Sequence, residues 1–268
     1  MKKAVILAAG EGQRLRPFTV TKPKAMLSIA GKPILQYVAE ALAQNGIREI
    51  IIVVGYHREQ VFDYLGTGEQ LGINITYVTQ ERQLGTAHAL AQAKNVVDGE
   101  FLILPGDNLI DADTIAQFVA THSNAVLVKT VEDPSRYGVV LTDNGLVKNI
   151  IEKPREAESN IINTGIYSFT PDFFDCIDDR LDIPDVLNNM LAKGKSFQAQ
   201  ETEGTWLDVV YPWDIIKLNN AVLRHSTARL GGTVEAGAFV KGMVVVGKDT
   251  LIRSNSYILR SEERRVGK

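Results

Sequence analysis

Five short runs, at residues 4–7, 50–54, 75–78, 101–104 and 125–128, are apolar at every position except Thr76. Such runs read as strands buried on both faces rather than as half-exposed strands, which would alternate. Between them the apolar positions fall at helical spacing. The clearest case opens at Pro33, carries Ile34, Leu35, Val38, Ala41 and Leu42 on one face and stops at Gly46. Residues 86–94 and 112–122 follow the same pattern. Alternating strands and helices predict an α/β fold whose largely parallel sheet is covered on both faces and takes ligands at the carboxyl ends of its strands. The second half is less regular, with strand-like 137–141 and 166–169 and helical 185–192 and 212–223.

After residue 233 the pattern changes kind. Branched apolar residues recur every six positions at Val234, Val240, Val246, Ile252 and Ile258. Neither helix nor strand has that period, whereas a three-sided β-helix does, each hexad supplying one side and one inward side chain.

The chain has 268 residues, 45 % of them hydrophobic and 23 % charged, as expected of a packed globular protein. Its 29 basic and 32 acidic residues leave a net charge of -3 without long basic blocks, which argues against a nucleic-acid partner. A single cysteine, Cys176, and scattered histidines offer neither an internal disulfide nor a zinc site. No apolar run approaches the roughly 20 residues of a membrane helix, and the apolar start breaks at Gly10 without a cleavage site. A cytoplasmic protein with no membrane partner is expected.

Chemistry gathers after the first strand. Residues 8–17 supply small residues, Gly10 and Gly12 among them, that let backbone N–H groups approach phosphate oxygens. A dinucleotide loop wants a third glycine where Leu15 stands, no acidic residue ends the second strand, and the Walker pattern is absent. Arg14 and then Lys24, in Thr21-Lys22-Pro23-Lys24, are the basic residues that distinguish this loop.

These residues carry a resemblance. The stretch from Leu7 through Ala8, Ala9, Gly10, Gly12 and Arg14 to Pro17, with Lys22-Pro23-Lys24 and Gly31-Lys32-Pro33, is similar to the signature of sugar-1-phosphate nucleotidylyltransferases. The likeness continues in order through Gln83-Leu84-Gly85-Thr86-Ala87, Leu104-Pro105-Gly106-Asp107, Tyr137-Gly138-Val139-Val140, Glu152-Lys153-Pro154, Asn163-Thr164-Gly165-Ile166-Tyr167 and Trp206-Leu207-Asp208-Val209. It implies a Rossmann-like mixed, mostly parallel sheet sandwiched by helices over residues 1–225. The hexads resemble archaeal-type members that join this domain to a left-handed β-helix, here beginning at 226–259, where some carry an acetyltransferase. A longer form is then expected to be a homo-oligomer, trimeric through that β-helix.

The implied reaction joins a sugar 1-phosphate, of N-acetylglucosamine or glucose, to UTP or dTTP with release of pyrophosphate. A phosphate monoester is already anionic near neutral pH, its second pKa being near about 6, so no general base is needed. Unit charges about 4 Å apart repel by on the order of 4 kcal/mol at an effective dielectric near 20, so catalysis must consist of positioning and neutralisation. The resemblance assigns Mg²⁺ to Asp107 and Asp208, the triphosphate to Arg14 and Lys24, and the sugar phosphate to Lys153. It gives the base to the backbone at Leu7, Ala8, Ala9 and Gly10 with Gln80, Gly85 and Thr86, and leaves open whether Gln80 or Gln83 pairs with it. Gly138, Glu152 and Asn163 face the sugar, the last suiting a hydroxyl or an acetamido group.

Two other readings have testable signatures. A catalytically silent relative predicts decay at Arg14, Lys24, Asp107 or Asp208, all of which are present. A glucose-1-phosphate thymidylyl- or uridylyltransferase without an acetyltransferase partner keeps the whole set. The residues 260–268 break the hexad phase at Arg264 and match the translation of a common short-read sequencing adapter, so they are expected to be non-native, with the natural protein longer and no acetyl transfer from this chain. Without those nine, which hold four basic and two acidic residues, 25 basic against 30 acidic leave a net charge of -5.

Overall fold

The computed structural model describes residues 3–120, 124–224, 229–242 and 244–259. Contacts divide the chain into two units, up to Asp214 and from Ile215 onward.

The first unit runs β1 (Lys3–Ala8), the ribbon β2 (Ser28–Ile29) and β3 (Lys32–Pro33), α1 (Ile34–Gln44), β4 (Glu49–Val54), α2 (Arg58–Leu65), β5 (Asn74–Thr79), α3 (Thr86–Ala91), β6 (Phe101–Pro105), β7 (Asn108–Ile110), α4 (Ala112–Val119) and β8 (Ala125–Thr130). It continues through β9 (Gly138–Asp143), β10 (Leu146–Glu152), β11 (Ile161–Phe169), α5 (Ile183–Ala192), β12 (Gln198–Glu201) and β13 (Trp206–Asp208), and α6 (Asp214–Arg224) starts at the boundary. Among the described residues one nine-stranded sheet has the order β5-β4-β1-β6-β11-β8-β12-β10-β9. The pairings make β5, β4, β1, β6, β8, β12 and β9 point one way, with β11 and β10 reversed. This is a Rossmann-like α/β arrangement: four parallel strands on one side, and a half broken by reversed strands on the other.

The apolar runs are strands because both their faces are buried. Ala4, Ile6, Ile50, Ile52, Leu102 and Leu104 join one core with Leu35, Val38 and Leu42 of α1 and Ile115 and Phe118 of α4. Val5, Ile51, Val53, Phe101 and Ile103 join the other with Leu90, Val186, Leu187 and Met190 of α3 and α5. Successive residues of one strand thus alternate between two layers of helix.

Boundaries differ in three places. Pro33 ends β3 and precedes the helix rather than opening it, in extended backbone with ψ 146. The helix from Thr86 stops at Ala91, and the one sought from 212 begins at Asp214, whose carboxylate caps the turn by accepting from the N–H of Val210 and Tyr211. The helix expected over 112–122 stops at Val119, capped by Ala120, and residues 121–123 lie outside the described residues.

In the second unit β14 (Arg229–Leu230), β15 (Thr233–Val234) and β16 (Phe239–Lys241) pair in parallel with β17 (Val245–Val246), β18 (Leu251–Ile252) and β19 (Tyr257–Leu259). Val246 and Ile252 are buried, whereas their strand neighbours Val245 and Leu251 are about half exposed. Residues 225–228 and the expected non-native tail, 260–268, lie outside the described residues. Among the described residues no helix is long and apolar enough to cross a membrane.

Candidate functional site

A cleft of about 490 Å³ opens at the carboxyl ends of the parallel strands. Its walls take in Leu7, Ala9, Gly10, Arg14, Lys24, Gln80, Gly85, Thr86, Asp107, Gly138, Glu152, Lys153, Asn163 and Asp208. Of the residues singled out from the sequence, Ala8 and Gly12 do not line it. Ala8 is buried in β1, paired with Val54. Gly12 has φ +68, and a Cβ there would stand 2.9 Å from the Lys24 Cβ. The missing side chain leaves room for the approach of Lys24.

The two aspartates, far apart in sequence, meet through a small ribbon. β7 follows Asp107 directly, and in its antiparallel pairing with β13 Asn108 stands opposite Asp208. Upstream of β13, Asp111 accepts from Thr114 N–H and Thr205 N–H, each at 2.7 Å, so one side chain caps α4 and anchors the loop into the ribbon. Burial opposes ionisation of Asp111, but these hydrogen bonds outweigh it and hold the carboxyl below its usual range. With its amide turned toward its partners, Asn108 donates to Asp107 Oδ1 at 3.1 Å and accepts from the Trp206 indole at 3.0 Å.

Lys24 is ion-paired with Asp107. Asp208 is pushed up chiefly by burial, against the hydrogen bond from Tyr137 and the charges of Lys24 and Arg136. The Tyr137 hydroxyl donates to Asp208 Oδ1 at 3.0 Å and accepts from Arg136 at 3.2 Å. Arg136 and Tyr137, both in the cleft wall, were missed as site residues. The second sits inside a quoted motif, but its link to Asp208 spans 71 positions and leaves no sequence signal.

On the parallel side Gln80 is 3 % exposed, and its amide nitrogen lies 3.1 Å from the Gly85 carbonyl and 2.9 Å from His88 Nδ1. Gln83 donates to the Gln80 carbonyl at 3.2 Å. Thr86 Oγ1 donates to Asp182 at 3.1 Å and accepts from the Ile183 N–H at 2.9 Å, tying α3 to the start of α5. A Cβ on Gly85 would collide with the Leu181 carbonyl, which already accepts from the N–H groups of Ala87 and His88.

On the antiparallel side Gly138 and Glu152 are opposite partners in the β9–β10 ladder, and a Cβ on Gly138 would come 3.0 Å from Glu152 Oε2. Burial pushes the Glu152 carboxyl up, Lys153 pulling the other way. Lys153 has φ +43, an uncommon backbone for a side chain, fixed by its N–H bond to the Tyr137 carbonyl at 3.1 Å. Asn163 stands at a bulge in β11, where its oxygen accepts from Gly165 N–H at 3.0 Å and its nitrogen donates to Tyr167 at 2.6 Å.

Among the described residues no group of three or more metal-ligating side chains occurs. Asp107 and Asp208, both in the cleft wall, are carboxylates of the kind that suits a hard cation also held by phosphate oxygens.

The Nucleotidyl transferase family model matches residues 3–225. The chain is 35 % identical over 264 residues to the Bifunctional protein GlmU of Methanococcus maripaludis, covering 94 % of this chain and 62 % of that protein. It is likewise 35 % identical to the Glucose-1-phosphate thymidylyltransferase of Streptomyces antibioticus, with 96 % and 76 % covered. A UDP-glucose pyrophosphorylase complexed with UDP-glucose superposes with TM-score 0.76 at 27 % identity, covering 84 % of this chain and all of that one. The chain spans about three-fifths of the length of the methanococcal relatives.

Proposed function

This chain belongs to the nucleotidyl transferase family, and from that premise we propose that it makes a nucleoside diphosphate sugar and pyrophosphate from a sugar 1-phosphate and UTP or dTTP. The observation that carries the reading is the meeting, in one cleft, of the Lys24–Asp107 pair and Asp208 with Arg14, Lys153 and Gln80.

A sugar 1-phosphate oxygen attacks the α-phosphorus of the triphosphate in line. A new P–O bond forms as the bond to the β-phosphate oxygen breaks, and pyrophosphate leaves with the electron pair. Lys24 and Arg14 hold the triphosphate, Lys153 the sugar phosphate, and together they offset the repulsion between two anions. Asp107 and Asp208 would hold Mg²⁺, which when bound polarises the α-phosphate and neutralises the leaving group. Gln80, with the backbone at Leu7, Ala9 and Gly10 and at Gly85 and Thr86, holds the base. Gln83 is engaged with the Gln80 backbone, which favours Gln80 for that contact. Glu152 accepts from sugar hydroxyls, Gly138 brings its backbone close, and Asn163 serves a hydroxyl or an acetamido group, so the sugar is N-acetylglucosamine or glucose.

The second unit we read as the first coils of a left-handed parallel β-helix, through which a longer protein would trimerise. The three parallel pairings, offset by 16 or 18 residues, support it. A cytoplasmic setting follows from substrates made and used there and from the lone cysteine. The test is pyrophosphate release from five nucleoside triphosphates against glucose, N-acetylglucosamine and mannose 1-phosphates with Mg²⁺. Turnover with UTP or dTTP is expected, and none with any pair would favour the silent relative.

A further inference from the structure

The Gln80 amide can in principle offer a base either its oxygen or its NH₂ group, and the two choices select different pyrimidines. Its surroundings decide between them. A carbonyl oxygen can only accept, so the amide atom 3.1 Å from the Gly85 carbonyl must be nitrogen. That same nitrogen lies 2.9 Å from His88 Nδ1. Both amide hydrogens are thereby committed, one to each neighbour. His88 Nδ1 must then be an unprotonated acceptor, with the ring proton on Nε2. What Gln80 has left is Oε1, an acceptor on a side chain that lines the cleft and is 3 % exposed.

We propose that His88 is a positioning residue for nucleotide selection: by accepting the second amide hydrogen of Gln80 it locks Oε1 toward the base and so selects an imide N3–H. Uracil and thymine carry that hydrogen. Cytosine presents a bare N3 lone pair at the same edge, acceptor against acceptor, in a place too buried for water to relieve it. Without the His88 acceptor a single contact, to the Gly85 carbonyl, holds the amide, so the turned orientation that offers N–H to cytosine costs less. The proposal rests on the assignment of UTP or dTTP to this cleft and adds the group that enforces it.

The experiment compares kcat/KM for UTP, dTTP and CTP, by pyrophosphate release, in the wild type, His88→Met and His88→Gln. Methionine keeps the bulk and removes the acceptor. The expected result is a drop of at least about tenfold in the preference for UTP or dTTP over CTP, carried by KM with kcat retained. His88→Gln, whose own amide oxygen can accept, restores the preference, which a purely structural role for the ring would not predict. Should His88→Met fail to fold, His88→Ala takes its place, alanine being favourable in a helix. A wild type that prefers UTP or dTTP while the Met or Ala variant keeps the same ratio overturns the role of His88 and leaves the base assignment standing. A wild type that does not discriminate against CTP overturns the base assignment, and this proposal with it.

Discussion

Lys24 and Asp107 neutralise one another at the centre of the cleft, their side chains only 19 % and 26 % exposed. A triphosphate that recruits Lys24 releases Asp107 at the same moment, so nucleotide and metal ion are expected to load together. Lys24→Met should raise KM for the nucleotide by at least about tenfold, the scale of one charge-assisted hydrogen bond. It should also let Mn²⁺ bind more tightly without nucleotide, measured by paramagnetic water relaxation. Unchanged values of both would refute the exchange.

Asp107→Asn and Asp208→Asn should each lower turnover by at least about 100-fold, as losing one preorganised charge-stabilising group does elsewhere. The circular dichroism of each variant should stay that of the wild type. For Asp208 the melting temperature without divalent metal should rise, because burial disfavours its charged form.

Glu152 gives a pH dependence. Burial raises its carboxyl above the ordinary glutamate value of 4.5, so between that value and the raised one the folded chain keeps a proton that the unfolded chain has released. Its contribution to stability therefore declines as pH climbs through that window. Glu152→Gln removes the titration. The melting temperature of the variant should exceed that of the wild type by a margin that grows as pH rises above 4.5. At the upper end the variant should also show a raised KM for the sugar phosphate, and a margin independent of pH would contradict the assignment.

Gly12→Ala should destabilise the fold by about 1–2 kcal/mol, because the residue is left-handed and its new methyl would crowd Lys24. Urea midpoints with an unchanged m-value would measure the loss. A raised nucleotide KM should accompany it if Lys24 is displaced.

How much of this could be read from the chain depended on burial. The strands at residues 4–7, 50–54 and 101–104 were legible because both faces are covered and every position is apolar. β12, with the sequence QAQE, gave no such signal, since it is held by its neighbours β8 and β10 rather than by its own side chains. The hexads were legible because Val234, Val240, Val246, Ile252 and Ile258, each less exposed than its strand neighbours, recur every six residues. In the cleft, residues inside contiguous motifs could be named, and the gathering of most of them in one place followed. The links of Tyr137 to Asp208 and of His88 to Gln80 could not, because the fold rather than a local pattern brings each pair together. Gly12 was read as part of an anion cradle, and only the packed Lys24 beside it shows what the missing Cβ allows.

The division of the sheet into a parallel half and a half broken by reversed strands has an evolutionary consequence. Gln80 and His88 belong to the first, whereas Glu152 and Asn163 belong to β10 and β11 in the second. On the proposed substrate assignment, selection acting on the nucleobase and selection acting on the hexose would fall on separate stretches of the gene. Substitutions at well-separated sites combine nearly independently. A lineage built on this scaffold can exchange one substrate while inheriting the other unchanged.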